Sequence, residues 1–163
     1  MLDWLRKSAR DLNPSVSGII LDENLPESDL ALEISTSQSD RILKSSGTRS
    51  GLAILAESNS IRGADDIFKL LALGADLVGL GTAALSAIGF EETDKEVIFD
   101  TSKSRIHLEN FVIGITKELK LLAGAAGVSS MSSSLVGNRE LLRSVNLSPM
   151  LRKELCVKPA GSA

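Results

Sequence analysis

The 163-residue chain contains a single cysteine, Cys156, a single histidine and four prolines, and only 3% of it is aromatic. One cysteine excludes an internal disulfide framework and any all-cysteine metal site built from this chain alone. There is no surplus of positive charge: 18 Lys and Arg stand against 21 Asp and Glu, a net charge of −3. Composition therefore advertises no nucleic-acid and no anionic-membrane partner. No apolar run approaches the ~20 residues of a membrane span. The opening Met1-Leu2-Asp3-Trp4-Leu5-Arg6-Lys7 is charged and amphipathic, without a signal-peptide core. Hydrophobic residues make up 43% of the chain, ample for a core. The length suits one domain, 1–163, and falls short of the roughly 250 residues of a complete (β/α)₈ barrel. The expectation is a soluble, cytoplasmic α/β protein.

Hydrophobic spacing divides the chain into three parts: 1–50, 51–90 and 91–163. In the first, Leu2, Leu5, Ala9 and Leu12 fall at helical spacing up to Asn13-Pro14. Val16–Leu21 has the length of a strand, and Leu30–Ile34 alternates like a second one. Only about eight residues separate them, fewer than the dozen a helical crossover takes. Two readings stay open, a hairpin-like pair or a lost crossover. Ser39–Lys44 is a weak helix ending near Gly47. The second part is clearer. Leu52–Ala56 reads as a buried parallel strand, and Gly63-Ala64-Asp65-Asp66 opens a helix with acids in its first turn. Ile67, Leu70 and Leu71 line that helix's inner face, and Gly74 stops it. Leu77–Leu80 is the next strand, followed at once by Gly81-Thr82 and the helix Ala83–Ile88. This is a β-α-β-α unit.

The third part begins with a polar, irregular stretch, Glu91–Ser104. A long helix follows with Leu108, Phe111, Val112, Ile115, Leu119 and Leu122 on one face. The serine-rich Val128–Leu135 reads as a surface loop. Gly137–Val145 reads as a helix with Leu141, Leu142 and Val145 inward. The tail carries a short amphipathic patch at Leu151 and Leu155, then Pro159-Ala160-Gly161 as a frayed end.

The residues that could carry chemistry cluster after the two strands of the middle part. A strand that ends in Gly81-Thr82 and turns directly into a helix leaves unpaired N–H groups above the sheet, where the helix dipole favours a phosphate. Gly81 permits close backbone approach, and the Thr82 hydroxyl can cap the helix or reach the phosphate. The preceding turn, Glu57–Gly63, offers the Arg62 guanidinium and the Gly63 amide. Two consecutive βα turns aimed at one point are how the last strands of a barrel hold a phosphate. The bland alternative is a tight turn and a helix cap. His107, on the long helix, reads as a surface residue, and Cys156 as an incidental thiol. Glu91, Glu92, Asp94 and Glu96 lack fixed ligand spacing and read as a solvated loop, so no metal site is expected. Arg139, Arg143, Arg152 and Lys153 look like exposed helix faces. No catalytic nucleophile–base pair can be drawn.

At Gly81 the residues cease to be generic. Leu71-Ala72-Leu73-Gly74-Ala75-Asp76 leading to Gly79-Leu80-Gly81-Thr82-Ala83-Ala84-Leu85 resembles the last strand and phosphate turn of the FMN domain of glutamate synthase. Thr116–Val128, Leu135–Arg143 and Val157–Gly161 resemble the C-terminal portion of the archaeal type of that domain. The resemblance implies part of a (β/α)₈ TIM barrel, about half of one, with extra C-terminal helices. It implies FMN as cofactor, bound through Arg62, Gly63, Gly81 and Thr82. It also implies formation of glutamate from 2-oxoglutarate and an ammonia donor.

Two departures from the family stand out. Its glycine pair in the companion turn is replaced by Ser58-Asn59-Ser60, and its cluster cysteines are missing from the stretch after Phe90. No iron–sulfur cluster is therefore expected, and stand-alone activity is not expected either. A partial barrel exposes strand edges and apolar faces, which predicts a homodimer or another chain completing the barrel. The alternative is a non-catalytic module that keeps a phosphate-containing ligand, or an assembly remnant without one.

Overall fold

Strand β1 (Gly18–Asp22) pairs in parallel with β2 (Ala53–Glu57), and β2 pairs in parallel with β3 (Leu77–Gly79), in the order β1-β2-β3. The computed structural model describes residues 16–24, 30–92, 97–98 and 101–162. The helix expected over residues 2–12 lies outside them. Helix α1 (Leu32–Ser46) and a 3₁₀ turn (Arg49–Gly51) connect β1 to β2. Helix α2 (Ala64–Leu73) connects β2 to β3, and α3 (Gly81–Ala87) follows β3. These are three consecutive βα units of a partial barrel.

The expected strand at Leu30–Ile34 is instead the entry to α1, so neither the hairpin nor the lost crossover is correct. The reason lies in the buried face of the helix. Leu32, Ser35, Thr36, Ser39, Asp40 and Leu43 are all buried and fall at helical spacing, but four of the six are polar. A hydrophobicity pattern cannot register such a face. Helix α1 ends at Gly47, whose positive φ lets its amide and that of Thr48 bond back to the last turn.

Helix α2 follows expectation. Asp65 and Asp66 lie in its first turn, Ile67, Leu70 and Leu71 are buried, and Gly74 closes it with φ 125°. A Cβ on Gly74 would fall 2.5 Å from the Asp40 Cβ, so glycine is also required by the packing. Ile54, Ala56, Leu70, Ala72 and Ala75 form the centre of the core between sheet and helices.

Beyond α3, two short strands, β4 (Glu91–Glu92) and β5 (Val97–Ile98), pair antiparallel. Helix α4 (Thr101–Ala125) is the expected long helix, packed on α2 and α3. Ile115 is buried and Phe111 and Leu119 pack against the core, but Leu108 and Val112 are exposed. The serine-rich segment contains a π-type turn (Met131–Leu135) whose Leu135 is fully buried. The expected surface loop is thus anchored at its end. Gly137–Val145 is not a helix. It forms a 3₁₀ turn (Arg139–Leu141) and β6 (Arg143–Ser144), with Val145 exposed. Gly137, with φ 71°, interrupts any continuing helix there. Helix α5 (Pro149–Leu155) covers the amphipathic patch. The tail is not frayed at Pro159, because β7 (Lys158–Pro159) pairs in parallel with β6.

Candidate functional site

The carboxyl ends of the three strands bring Asp22, Glu57 and Gly79 into one row. The turns that follow are tied together. The Glu23 amide donates to the Glu57 carbonyl at 3.1 Å. The Ser58 hydroxyl donates to the Glu23 carboxylate at 2.6 Å, and the Asn59 amide donates to the Asn24 side-chain oxygen at 3.2 Å. The Thr82 hydroxyl donates to the Asn59 side-chain carbonyl. The turn after β2 and the turn after β3 therefore meet, with Asn59 as the link. Neither Asn59 nor Glu57 was singled out from sequence, although a position at the end of a strand was the available signal.

The predicted residues have different surroundings. Gly81 and Thr82 are exposed at the start of α3, whose first amides carry no side-chain cap. That donor set fits a phosphate. The carboxylate of Glu57 borders it, with one oxygen 3.8 Å from the point a Gly81 Cβ would occupy. In the companion turn, the Arg62 amide donates to the Asp66 carboxylate at 3.1 Å, and the Gly63 amide adds a weaker pull on the same carboxyl group. Burial opposes ionisation of Asp66. The backbone bond from Arg62, with Lys69 and Gly63, outweighs it and holds the carboxyl below its usual range. The chain's own anion thus stands in the turn where the Arg62 guanidinium and the Gly63 amide were expected to face a phosphate. The Arg62 side chain is exposed and carries no bond among the described residues.

A second polar centre lies at the opposite, amino end of the strands. Asp40 is fully buried and accepts from Lys44 at 2.9 Å, Arg49 at 2.9 Å and Arg139 at 2.9 Å. Burial raises its carboxyl, and these three bonds more than reverse the effect, leaving it below the usual carboxylate range. Arg49 also donates to Asp76 and to the carbonyls of Leu52 and Gly74. Asp76 in turn accepts from the Ile54 amide at 2.7 Å. Arg139, expected on an exposed face, instead reaches Asp40 and the carbonyls of Ser37 and Leu73. A cavity of about 550 Å³ opens here, lined by Asp40, Lys44, Arg49 and Asp76. Its charged groups satisfy one another, and the amino face of a parallel barrel reads as a stabilising end.

Residues 25–96 match the model of the conserved region in glutamate synthase. An archaeal glutamate synthase [NADPH] of Methanocaldococcus jannaschii is 34% identical over 149 residues, covering 81% of this chain and 29% of that protein. The chain is a glutamate synthase relative. An archaeal-type glutamate synthase [NADPH] of Dehalococcoides mccartyi is likewise 34% identical, over 81% of this chain and 29% of its own length. The chain therefore spans under a third of the glutamate synthases it matches. Among solved structures, a flavocytochrome b2 variant with sulfite bound superimposes with a TM-score of 0.61 at 23% identity. It covers 96% of this chain and 39% of its own. A second variant, with pyruvate bound, gives 0.62 at 22% identity. At this identity the likeness concerns fold, and it agrees with a partial barrel.

Proposed function

We propose that this glutamate synthase relative forms the phosphate-holding end of a flavin barrel, with FMN bound at the turn after β3. The observation that carries the reading is the meeting of the two turns at the strands' carboxyl ends, where α3 begins uncapped at Gly81. The amides of Gly81 and Thr82 would hold the phosphate, and the absence of a side chain on Gly81 would let it approach. The Arg62 guanidinium, unbonded among the described residues, would add a charge-assisted contact. When bound, FMN supplies electron transfer to the imine formed from 2-oxoglutarate and ammonia, giving glutamate. The chain's residues here anchor and orient. Cys156 alone cannot hold an iron–sulfur cluster, so these residues would not themselves ligate one.

The carboxylates favour a second reading. Asp66 takes the Arg62 amide of the companion turn, and Glu57 stands beside Gly81. Both would repel a phosphate, as expected of a remnant that assembles without ligand.

One experiment separates the two. The protein is purified with added FMN, passed through gel filtration and examined for a flavin spectrum, while FMN and inorganic phosphate are tested for a rise in Tm. The flavin reading expects retained colour and a Tm rise that Thr82→Ala weakens, with about tenfold loss of affinity for one charge-assisted bond. Gly81→Val should abolish it. Equal stabilisation of parent and variants places the anion elsewhere, and no response to either ligand leaves the assembly reading.

A further inference from the structure

Helix α4 ends in a reversal of the chain. Gly127, at φ 70°, donates its amide to the Gly124 carbonyl at 3.1 Å, and the Val128 amide donates to the Ala123 carbonyl at 2.8 Å. The serine-rich segment then turns back over the end of the helix, and a cavity of about 450 Å³ lies between the two. Its helical wall is Thr116, Leu119, Lys120, Ala123 and Gly124, spaced as one face of a helix. The other wall is residues 128–131. That volume lies within the range of small-molecule sites. A Cβ on Gly124 would meet nothing within 4 Å, so the space beside it is open.

The lining divides by chemistry. Leu119, Val128 and Met131 pack against the hydrophobic core and Ala123 is buried, which makes the floor apolar. Two of the hydroxyls are already engaged. Thr116 donates to the Val112 carbonyl at 2.7 Å, and Ser130 accepts from the Ser133 amide at 3.4 Å. Lys120 and Ser129 are exposed, and their side chains carry no bond among the described residues. No carboxylate of a described residue lines the cavity. An apolar floor with one unanswered ammonium beside it suits a singly charged anion on an apolar body. A cation would be repelled, and a dianion would keep one charge unmatched.

We infer that this cavity binds a medium-chain aliphatic monocarboxylate. The alkyl tail lies on Leu119, Ala123, Val128 and Met131, and the carboxylate accepts from the Lys120 ammonium and the Ser129 hydroxyl. From Thr116 to Gly124 the helical wall runs about 12 Å, at about 1.5 Å per residue, a length that holds an extended chain of this class. The tail supplies most of the affinity, about fourfold per buried methylene. Lys120, screened by solvent, adds less and sets which head group is accepted. The site is independent of the flavin reading, since none of its lining residues belongs to the turns after β2 and β3.

The test titrates the full chain with octanoate, hexanoate, octanol and octylamine, each below its micellar concentration, and follows binding by calorimetry and Tm. Octanoate should saturate a single site and raise Tm. Hexanoate, with two methylenes fewer, should bind about fifteenfold more weakly. Octanol and octylamine should both bind more weakly than octanoate. Lys120→Met should lower octanoate affinity about fivefold and remove its advantage over octanol. Gly124→Leu puts a side chain into the cavity and should abolish binding. Nothing lies within 4 Å of that Cβ position, so the ligand-free variant should keep the parent's Tm. Leu121→Lys, on α4 outside the cavity, should change nothing. The inference is overturned if octanoate neither saturates nor raises Tm, or if octanol or octylamine matches it. It is equally overturned if Gly124→Leu binds octanoate as the parent does.

Discussion

At Asp40 one buried carboxylate serves three cations, two of them near in sequence and one far. Lys44 lies one helical turn away, Arg49 follows the helix, and Arg139 arrives 99 residues later. Removing the carboxylate would leave Arg139 buried with an unanswered charge and Arg49 with Asp76 alone. Asp40→Ala is therefore expected to cost on the order of 3 kcal/mol of stability, measured by urea unfolding. Gly74 belongs to the same device, since any side chain there would strike Asp40. None of this was legible locally. An arginine in a polar segment looks the same whether it meets solvent or a carboxylate, and Arg139 was read as exposed for that reason.

Elements were legible where burial followed hydrophobicity. α2 and the strands around it announce themselves because their inward residues are Ile, Leu and Ala. α1 does not, because hydroxyls and a carboxylate occupy its inner face. α5 lies between these cases. Its cap is written in sequence, with Ser148 accepting from the Leu151 amide and Pro149 opening the helix. Its docking is not: Ser37 donates to the Leu155 carbonyl, and Gln38 donates to Glu154. Ser148→Ala should cost about 1 kcal/mol, the usual loss for such a cap. The effect should be local, with faster amide hydrogen exchange over 149–155 before any change in the core strands.

For the whole molecule, ionisation sets the range of pH over which the fold is stable. Asp40 and Asp66 titrate below their unfolded values, so the unfolded chain takes up protons first as pH falls. Their contribution is complete above about pH 4 and lost progressively below it. Lys69, raised by Glu33 and Asp66 against the opposing effect of burial, behaves in the opposite sense. Its contribution is complete below its unfolded value and lost only as pH rises beyond it. Urea midpoints should be flat through neutrality and fall in acid, and Asp40→Asn should flatten that acid limb. A variant that keeps the full acid dependence would assign it to other carboxylates.

Short-range patterns by themselves determined the β-α-β-α unit, the Gly81-Thr82 turn that opens α3 and the kinship with glutamate synthase. Apolar spacing, glycine stops and ordered motifs are local properties of the chain. Tertiary structure alone decided that α1 is a crossover, that Arg139 is interior and that Asn59 joins the two turns. It also decided that Asp66 takes the Arg62 amide of its own turn. Each of these depends on which distant side chain answers a buried charge or an open hydrogen-bonding group. That pairing exists only once the strands are in register.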